Sequence, residues 1–466
     1  MHEFEKTVQK LQRENHFFSG DKPIYISRSP GRLDLMGGND DYTGGLVFEL
    51  TIREATWAAV QLREDDQIVF KNKTAAEAGW QGDVQFSIHD LSDENHIRNI
   101  VNTNPSKRWT VYVLGNFYYL MKKFPEKITK GVQVYMESNV PLNKGVSSSA
   151  AIEVSVMKAA VKAYGIDLAG VELALACQWV ENVIAESACG VMDQITVVLG
   201  DEGYVLPLVC QPCNPEPLIR LPDGLQVWAV DSGVSHEVSG VEYEAARAAA
   251  FMGYKMICDW EQLQVKLDES EEIPRYTDPR WSGYLANLPV SLFREKYEQQ
   301  LPEQITGRQF LKDYKEHADP FTPVREDVVY HVRANTRYAV EENQRVQLFS
   351  ELARSASTSR SERAFFLMGD LMYQSHYAYT ECGLGAGAMD MLVNLAKEEG
   401  IDNGIYGAKI TGGGAGGTVA ILGCKDARAS LDRIVNRFKK VRGYAPYVFE
   451  GSSQGADKFG VIELCI

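Results

Sequence analysis

Residues 131–138, GVQVYMES, set Val132, Val134 and Met136 on alternate positions, the period of a strand with one face in a core. The loop NVPLNKGV follows. SSSAAIEVSVMKAAVKAYG comes next, alanine-rich, with serines at its start and Gly165 at its end, which is the punctuation of a helix. A second helix is predicted over about 168–187, with strands near Tyr204–Val209 and Leu225–Val230. Upstream, the span from Ile24 to Leu62 reads as two strands around a Gly/Asp/Asn-rich turn, and MHEFEKTVQKLQREN reads as a charged amphipathic helix. Helices at about 342–354, 361–380 and 386–399 lead into GAKITGGGAGGTVAILG, a strand, a glycine loop and a second strand. Between about 259 and 345 the pattern lapses into a polar, aromatic and charge-rich stretch with prolines at 274, 279, 289 and 302, predicted to be an insertion or helical subdomain. Strands mixed with helices, without strict βαβ repetition, predict an α+β fold. At 466 residues the chain exceeds one ordinary core, so two or three domains are expected.

Apolar residues make up 45% and charged residues 24%, the profile of a soluble globular protein. The hydrophobic segments are short and broken by charge, which argues against a membrane span. The N-terminus lacks a secretory signal, so a cytoplasmic location is expected. The net charge of −15 repels nucleic acid and anionic lipid, so neither is an expected partner. A small anionic ligand would then need a locally basic pocket or one built from backbone amides. Eight cysteines do not form a disulfide framework. Cys210 and Cys213 make a lone C-x-x-C with no second pair or nearby histidine, a poor zinc site.

Four segments carry candidate chemistry. PLNKGVSSSAA (141–151) joins a strand to a serine-started helix, whose free N-terminal amides suit phosphate, although a plain N-cap reads the same way. No Walker A loop occurs. KITGGGAGGT (409–418) has five glycines in six positions between two strands, as if something lay against the main chain; a flexible turn is the bland alternative. SPGRLDLMGGNDDYTGG (29–45) gathers Arg32, Asp34, Asn39, Asp40 and Asp41 around a glycine-rich turn that suits hydroxyl recognition or simple solvation. WVENVIAESACGVMDQ (179–194) carries Glu181 and Asp193, the two acids that phosphoryl transfer asks for, one for a metal and one facing the attacking hydroxyl.

In this order the segments resemble the GHMP kinase superfamily and, within it, the galactokinase family. SPGRLDLMGGNDDYTGG is similar to the galactokinase signature, PLNKGVSSSAA to the phosphate loop and ITGGGAGGT to the third motif. CGVMDQ, SGVEYEAAR and KRWTVYVLG resemble the catalytic-aspartate, sugar-tyrosine and nucleotide-aromatic segments. The resemblance implies an N-terminal ribosomal-protein-S5-like kinase domain (1–215) and a C-terminal ferredoxin-like domain (216–466) with a helical insertion (about 259–345), and a site in the cleft between them. It implies ATP held by Gly145, Ser147, Ser148, Ser149, Gly412, Gly413 and Gly414, with Trp109 near the adenine. Mg²⁺ is implied on Glu181 and a serine, Ser148. Asp193 faces the anomeric hydroxyl of a sugar with Arg32 beside it, and Asp41, Tyr243, Asn39 and Gly38 form the sugar end. Whether Asp193 is a base or an electrostatic partner stays open, as does oligomeric state.

Galactokinases read Gly-Glu-His-x-Asp-Tyr where this chain reads Gly37-Gly38-Asn39-Asp40-Asp41-Tyr42. The two side chains that in the family contact the exocyclic hydroxymethyl are therefore glycine and asparagine. MGGxxDYxGxLV, RWSGYLANLP and CGLGAGAMDMLV are similar to the kinase domain of plant L-arabinokinases. The resemblance implies an ATP-dependent sugar-1-kinase acting on L-arabinose. The alternatives are D-galactose as substrate, or a non-catalytic sugar and ATP sensor on the same fold.

Overall fold

The computed structural model describes residues 2–14, 17–234, 240–270, 272–358 and 361–464. Of the segments singled out in the sequence, Ser239 of SGVEYEAAR and the ends of the first helical stretch, Met1 and Asn15, lie outside them.

The first lobe rests on a nine-stranded sheet. Its main path runs Val461–Leu464, Ile24–Met36, Leu46–Leu62, Val132–Ser138, Gln67–Asn72, Asp83–Ser87. Tyr204–Val209 pairs with the start of Leu46–Leu62 and carries two short strands, Asn214–Pro215 and Ile219–Arg220. Neighbours along the sheet are antiparallel except Gln67–Asn72 beside Val132–Ser138. Val60, Phe70 and Val134 face a helical layer through Phe117 of Thr110–Lys123, Met157 of Ser148–Tyr164 and Ile195 of Met192–Leu199. The predicted N-terminal helix forms as His2–Arg13. It sets Phe4, Val8 and Leu11 against Ile24, Ile26, Ala59 and Tyr135 on the opposite face.

The second lobe has a four-stranded antiparallel sheet in the order Ile405–Ile410, Thr418–Cys424, Leu225–Asp231, Val448–Glu450. Side chains alternate across a strand. Trp228, Val230, Val419 and Ile421 therefore pack on helices Gly387–Glu399 and Arg428–Arg442 through Leu392, Leu431 and Phe438. Val227, Ala229, Ala420 and Leu422 turn the other way, into a cluster with Leu33, Leu35 and Phe48 of the first lobe and Phe349 and Phe365 of the second. That shared cluster joins the lobes. Each fully buried Leu or Phe in it contributes about 1.5–3 kcal/mol.

Two sequence expectations are corrected here. A boundary at 215/216 cuts the first sheet, because Ile219–Arg220 still pairs with Tyr204–Val205. The chain also returns to the first lobe at its end, where Val461–Leu464 pairs with Ile24–Ser27. The region 259–345 is the expected insertion, with its second bound misplaced. It holds two short hairpins, Lys266–Asp268 with Arg275–Thr277 and Ile305–Thr306 with Val329–Tyr330, and the helix Gly307–Tyr314, connected largely by loops and short turns. Its aromatic core (Trp281, Phe293, Tyr297, Phe310) closes on Phe251 and Tyr254 of helix Val241–Trp260. Helix Val332–Thr358 begins inside it, so position 345 falls mid-helix. Among the described residues no helix is long and apolar enough to cross a membrane.

The insertion is clamped to helix Val241–Trp260 by a buried ion pair. Arg247 donates from Nε and Nη2 to the two oxygens of Asp319, both at 2.9 Å. Burial would raise the Asp319 carboxyl, but the guanidinium beside it holds it below the ordinary range. Arg247→Ala, which strands that carboxylate, is expected to destabilise the protein by about 3–5 kcal/mol in urea titration, whereas Arg247→Met with Asp319→Leu is expected to be near neutral. A depressed carboxyl contributes stability above its unfolded value of about 3.9 and loses it on acidification, so the Arg247→Ala deficit should shrink below pH 4.

Candidate active site

Helix Ser148–Tyr164 starts at Ser147, whose φ of 59° lies in the left-handed region and whose side chain makes no cap hydrogen bond. The predicted serine N-cap is therefore not formed. The Ser147 hydroxyl instead donates to Asp193 Oδ2 at 2.5 Å. Among the described residues no side chain caps this helix, whose first residues lie at the wall of a cavity of about 430 Å³ lined by Gly145, Ser147, Ser148 and Ser149. Free helix-start amides carry partial positive charge and suit an anion.

Asp193 lies in the first turn of Met192–Leu199, which faces the same cavity. Arg32 donates from Nε to Asp193 Oδ1 at 2.8 Å, and its Nη2 lies 2.6 Å from the same oxygen. Arg32 Nη1 donates to the Gly145 carbonyl at 2.7 Å, and Glu49 Oε2 lies 3.5 Å from its Nε. Burial would lower the guanidinium's proton affinity, but the charges of Asp193, Glu49 and Asp34 hold it above its ordinary value, so it stays cationic.

Glu181 sits in a single π-helical turn, Val180–Ile184, and lines the cavity while only 3% exposed. Gln194 Nε2 donates to it at 2.6 Å. Burial pushes its carboxyl up to about 7 and the Asp193 charge adds to this, against hydrogen bonds from Ser149, Gln194 and Cys189. Among the described residues no cluster of three ligating side chains could hold a metal unaided.

At the end expected to take the sugar, Asn39, Asp41 and Tyr243 line the cavity with Arg32, Gly190 and Gly413. Asn39 Nδ2 donates to the Gly413 carbonyl at 3.3 Å. Tyr243 is met edge-on by Tyr42 at 6.1 Å, and Tyr42 in turn lies under the Arg247 guanidinium at 5.0 Å, so the insertion's clamp also steadies this wall. Gly38 does not reach the cavity. A Cβ there would lie 1.8 Å from the Tyr379 hydroxyl. Asp34 and Asp40 are structural as well. Asp34 is fully buried against Lys409 Nζ at 2.6 Å, and Asp40 accepts from the Thr43 hydroxyl inside its own turn.

The opposite end is lined by Trp80, Pro105, Arg108, Trp109 and Tyr112. Trp109 donates from Nε1 to the Gln81 carbonyl at 3.0 Å and packs on Phe70. Of the three glycines assigned to ATP, Gly413 lines the cavity and the other two do not. A Cβ at Gly412 would lie 2.9 Å from the Gly145 carbonyl, and one at Gly414 would lie 2.8 Å from Leu384 Cβ, so these glycines admit protein neighbours. Sequence reading missed Trp80, a lone tryptophan in the polar run AEAGWQGD, and Glu49, whose place in the alternating strand LVFELTI carried no chemical signal.

Residues 111–201 match the GHMP kinases N terminal domain, and residues 14–62 match the galactokinase galactose-binding signature. The chain is 34% identical to the L-arabinokinase of Arabidopsis thaliana, a match covering 98% of this chain and 48% of that protein. It thus spans about half of that relative's length. It is 29% identical to the galactokinase of Chloroflexus aggregans, covering 90% of this chain and 88% of that protein. The fold matches the crystal structure of Lactococcus lactis galactokinase complexed with galactose, with a TM-score of 0.74 and 20% identity over 99% of this chain and 100% of that one. It also matches the Methanococcus jannaschii mevalonate kinase structure, with a TM-score of 0.56 and 14% identity over 92% and 98%.

Asp41 generates a pH prediction. Burial pushes its carboxyl up to about 7 and the Asp193 charge adds to this, while Arg247 and Arg32 pull it down. A carboxyl raised from about 3.9 in the unfolded chain keeps its proton in the fold, so stability from this group is full below pH 4 and is lost as pH rises to 7. Asp41→Asn should therefore raise the melting temperature of the ligand-free protein at pH 8, by an amount on the order of 1–4 kcal/mol in stability, with the gain vanishing towards pH 4. A pH-independent difference would place the Asp41 charge outside this balance.

Proposed function

The chain belongs to the GHMP kinase family, whose members are phosphotransferases with an alcohol group as acceptor, and we propose that it is an ATP-dependent sugar-1-kinase acting on L-arabinose. One observation carries the kinase reading. Uncapped helix amides, a buried cationic guanidinium and an aspartate held by that guanidinium and the Ser147 hydroxyl meet at one end of a cavity whose other end is aromatic. Phosphoryl transfer asks a protein for positioning and for neutralisation of charge, and this arrangement supplies both. Adenine would lie between Trp80, Trp109 and Tyr112, and the triphosphate would run along Gly145–Ser149 towards Arg32.

Both Asp193 oxygens already accept hydrogen bonds from Arg32 and Ser147, so the carboxylate's direction is set by the protein. A carboxylate has about four acceptor sites, which leaves room for the anomeric hydroxyl. That oxygen forms a bond to the γ-phosphorus as the bond to the ADP oxygen breaks, its proton passes to the Asp193 carboxylate or a phosphate oxygen, and Arg32 offsets charge on the phosphoryl group. The residues present fit Mg²⁺: Glu181 gives one buried carboxylate whose raised carboxyl a cation would draw down, Ser148 gives a hydroxyl, and phosphate oxygens and water would complete the shell. Bound there, the ion would neutralise the β- and γ-phosphates.

Three features favour L-arabinose over D-galactose. No side chain from position 38 reaches the cavity, Asn39 replaces an ionisable wall residue, and 98% of this chain matches a protein named L-arabinokinase. A non-catalytic sensor has less support, because Arg32, Glu181 and Asp193 all line one cavity.

Asp193→Asn is expected to retain ATP binding and to lose about 10²–10⁴-fold in kcat, measured by coupled ADP release. Near-normal turnover in that variant would remove Asp193 from the mechanism. The unmodified protein is expected to favour L-arabinose over D-galactose by about tenfold to a hundredfold in kcat/KM, which one unpaired buried hydroxyl supplies. D-Fucose, with a methyl in place of the hydroxymethyl, should outperform D-galactose if lost pairing is the cause. A preference for D-galactose would overturn the pentose assignment and leave the kinase reading standing.

A further inference from the structure

Tyr379 lies 340 residues from Asn39 in the chain, yet its hydroxyl joins the two loops at the sugar end. It accepts the Asn39 main-chain N–H at 3.0 Å and donates to the Gly412 carbonyl at 2.8 Å. Its ring is fully buried, met at right angles by Tyr338 at 5.2 Å, with the Lys409 ammonium 5.4 Å from its centre. Lys409 pairs with Asp34 at 2.6 Å, and Asp34 accepts the Gly38 N–H at 3.0 Å, so the phenol is fixed from several sides. The hydroxyl stands where residue 38 would begin a side chain. A Cβ there would lie 1.8 Å from Oη and 2.9 Å from both Cζ and Asp34 Oδ2, on a backbone whose φ of 41° already disfavours L-residues.

We propose that Tyr379 is the residue that sets sugar specificity, a positioning residue that occupies the space a side chain at position 38 would enter and holds Asn39 at the cavity wall instead. The proposal rests on the sugar-1-kinase reading above. With Tyr379 in place, residues 37–41 present Asn39 and Asp41 to the cavity and nothing ionisable beyond Asp41. A ring substituent on that side meets an amide and main chain. The class of sugar selected is a pyranose with no exocyclic group in need of a charged or strongly bonding partner: a pentopyranose ahead of a hexopyranose or a uronate.

The experiment crosses positions 38 and 379 and reads kcat and KM for L-arabinose and D-galactose separately. Tyr379→Phe removes both hydroxyl bonds but keeps the ring. It should raise KM for L-arabinose by about threefold to tenfold with kcat and KM for ATP within about twofold, a split that a general loss of structure does not give. Gly38→Glu alone should abolish turnover of both sugars while ATP still binds. Gly38→Glu with Tyr379→Leu should restore turnover and move the kcat/KM ratio towards D-galactose by about tenfold or more relative to the unmodified protein. An unchanged L-arabinose KM in Tyr379→Phe, or an active Gly38→Glu with Tyr379 intact, overturns the proposal and leaves the kinase reading untouched. Phosphorylation of neither sugar by the unmodified protein overturns the sugar reading, and this proposal with it.

Discussion

A guanidinium that is only 3% exposed must find acceptors on every side, and Arg32 finds them on segments that are far apart in the chain. Its Nη1 holds the Gly145 carbonyl, its Nε and Nη2 hold Asp193, and Glu49 stands 3.5 Å away, while the Arg32 main-chain N–H donates to the Val146 carbonyl. An unpaired charge at this depth costs several kcal/mol, so the strand that carries Arg32 draws the phosphate loop and the start of Met192–Leu199 to one point. Ser147 remains in a left-handed conformation because its hydroxyl is committed to Asp193, a local strain that the surrounding bonds over-determine. The geometry assigned to catalysis in the proposal is thus set by the protein's own bonds, which is what stabilising charge in a phosphoryl transfer requires.

The segments legible from sequence are those whose chemistry is contiguous. The strand, loop and helix around 131–165 announce themselves through a change of period from two to 3.6 and through punctuation by serine and glycine, and the helix forms as Ser148–Tyr164 with Gly165 in the left-handed cap. What the Ser147 hydroxyl does was not legible, because its partner lies 46 residues on and competes with an ordinary N-cap. The same physics hid the lobe boundary. Ile219–Arg220 is two residues long, and Val461–Leu464 belongs to the first lobe only through its pairing with Ile24–Ser27. The insertion was legible as a lapse in pattern at about 259–345, but its internal elements were not, because they are mostly loops around buried aromatics and such a core has no period to detect.

The glycine loop shows how a correct suspicion can have a different cause. Five glycines in six positions imply that something lies against the main chain. What lies there is largely the phosphate loop. Added side chains at Gly412 and Gly417 would strike the carbonyls of Gly145 and Lys144 at 2.9 and 2.8 Å, and Thr418 Oγ1 donates to Lys144 at 2.8 Å. The glycines let a loop of the second lobe dock on a loop of the first, with Gly413 as the contact that reaches the cavity. The close approach therefore ties the two lobes together at the point where the phosphates are expected.

Both ends of the proposed site are held by residues far apart in the chain. At the proposed phosphate end a contiguous loop is fixed by Arg32, Asp193 and Thr418, which lie 113, 46 and 274 residues from their partners in it. The proposed sugar end is backed by a buried layer where Tyr379, Lys409, Asp34 and the 37–41 turn share hydrogen bonds and charge. In such a layer an added atom has no solvent to displace and no soft neighbour to push, since close-packed interiors give little. A new side chain at the turn is blocked until the phenol behind it shrinks, and a smaller side chain at 379 leaves a void until the turn fills it. Under the proposal above, a pocket made this way would change its sugar by exchanging a buried pair, so residues 37–42, taken alone, would hold only part of the information about the substrate.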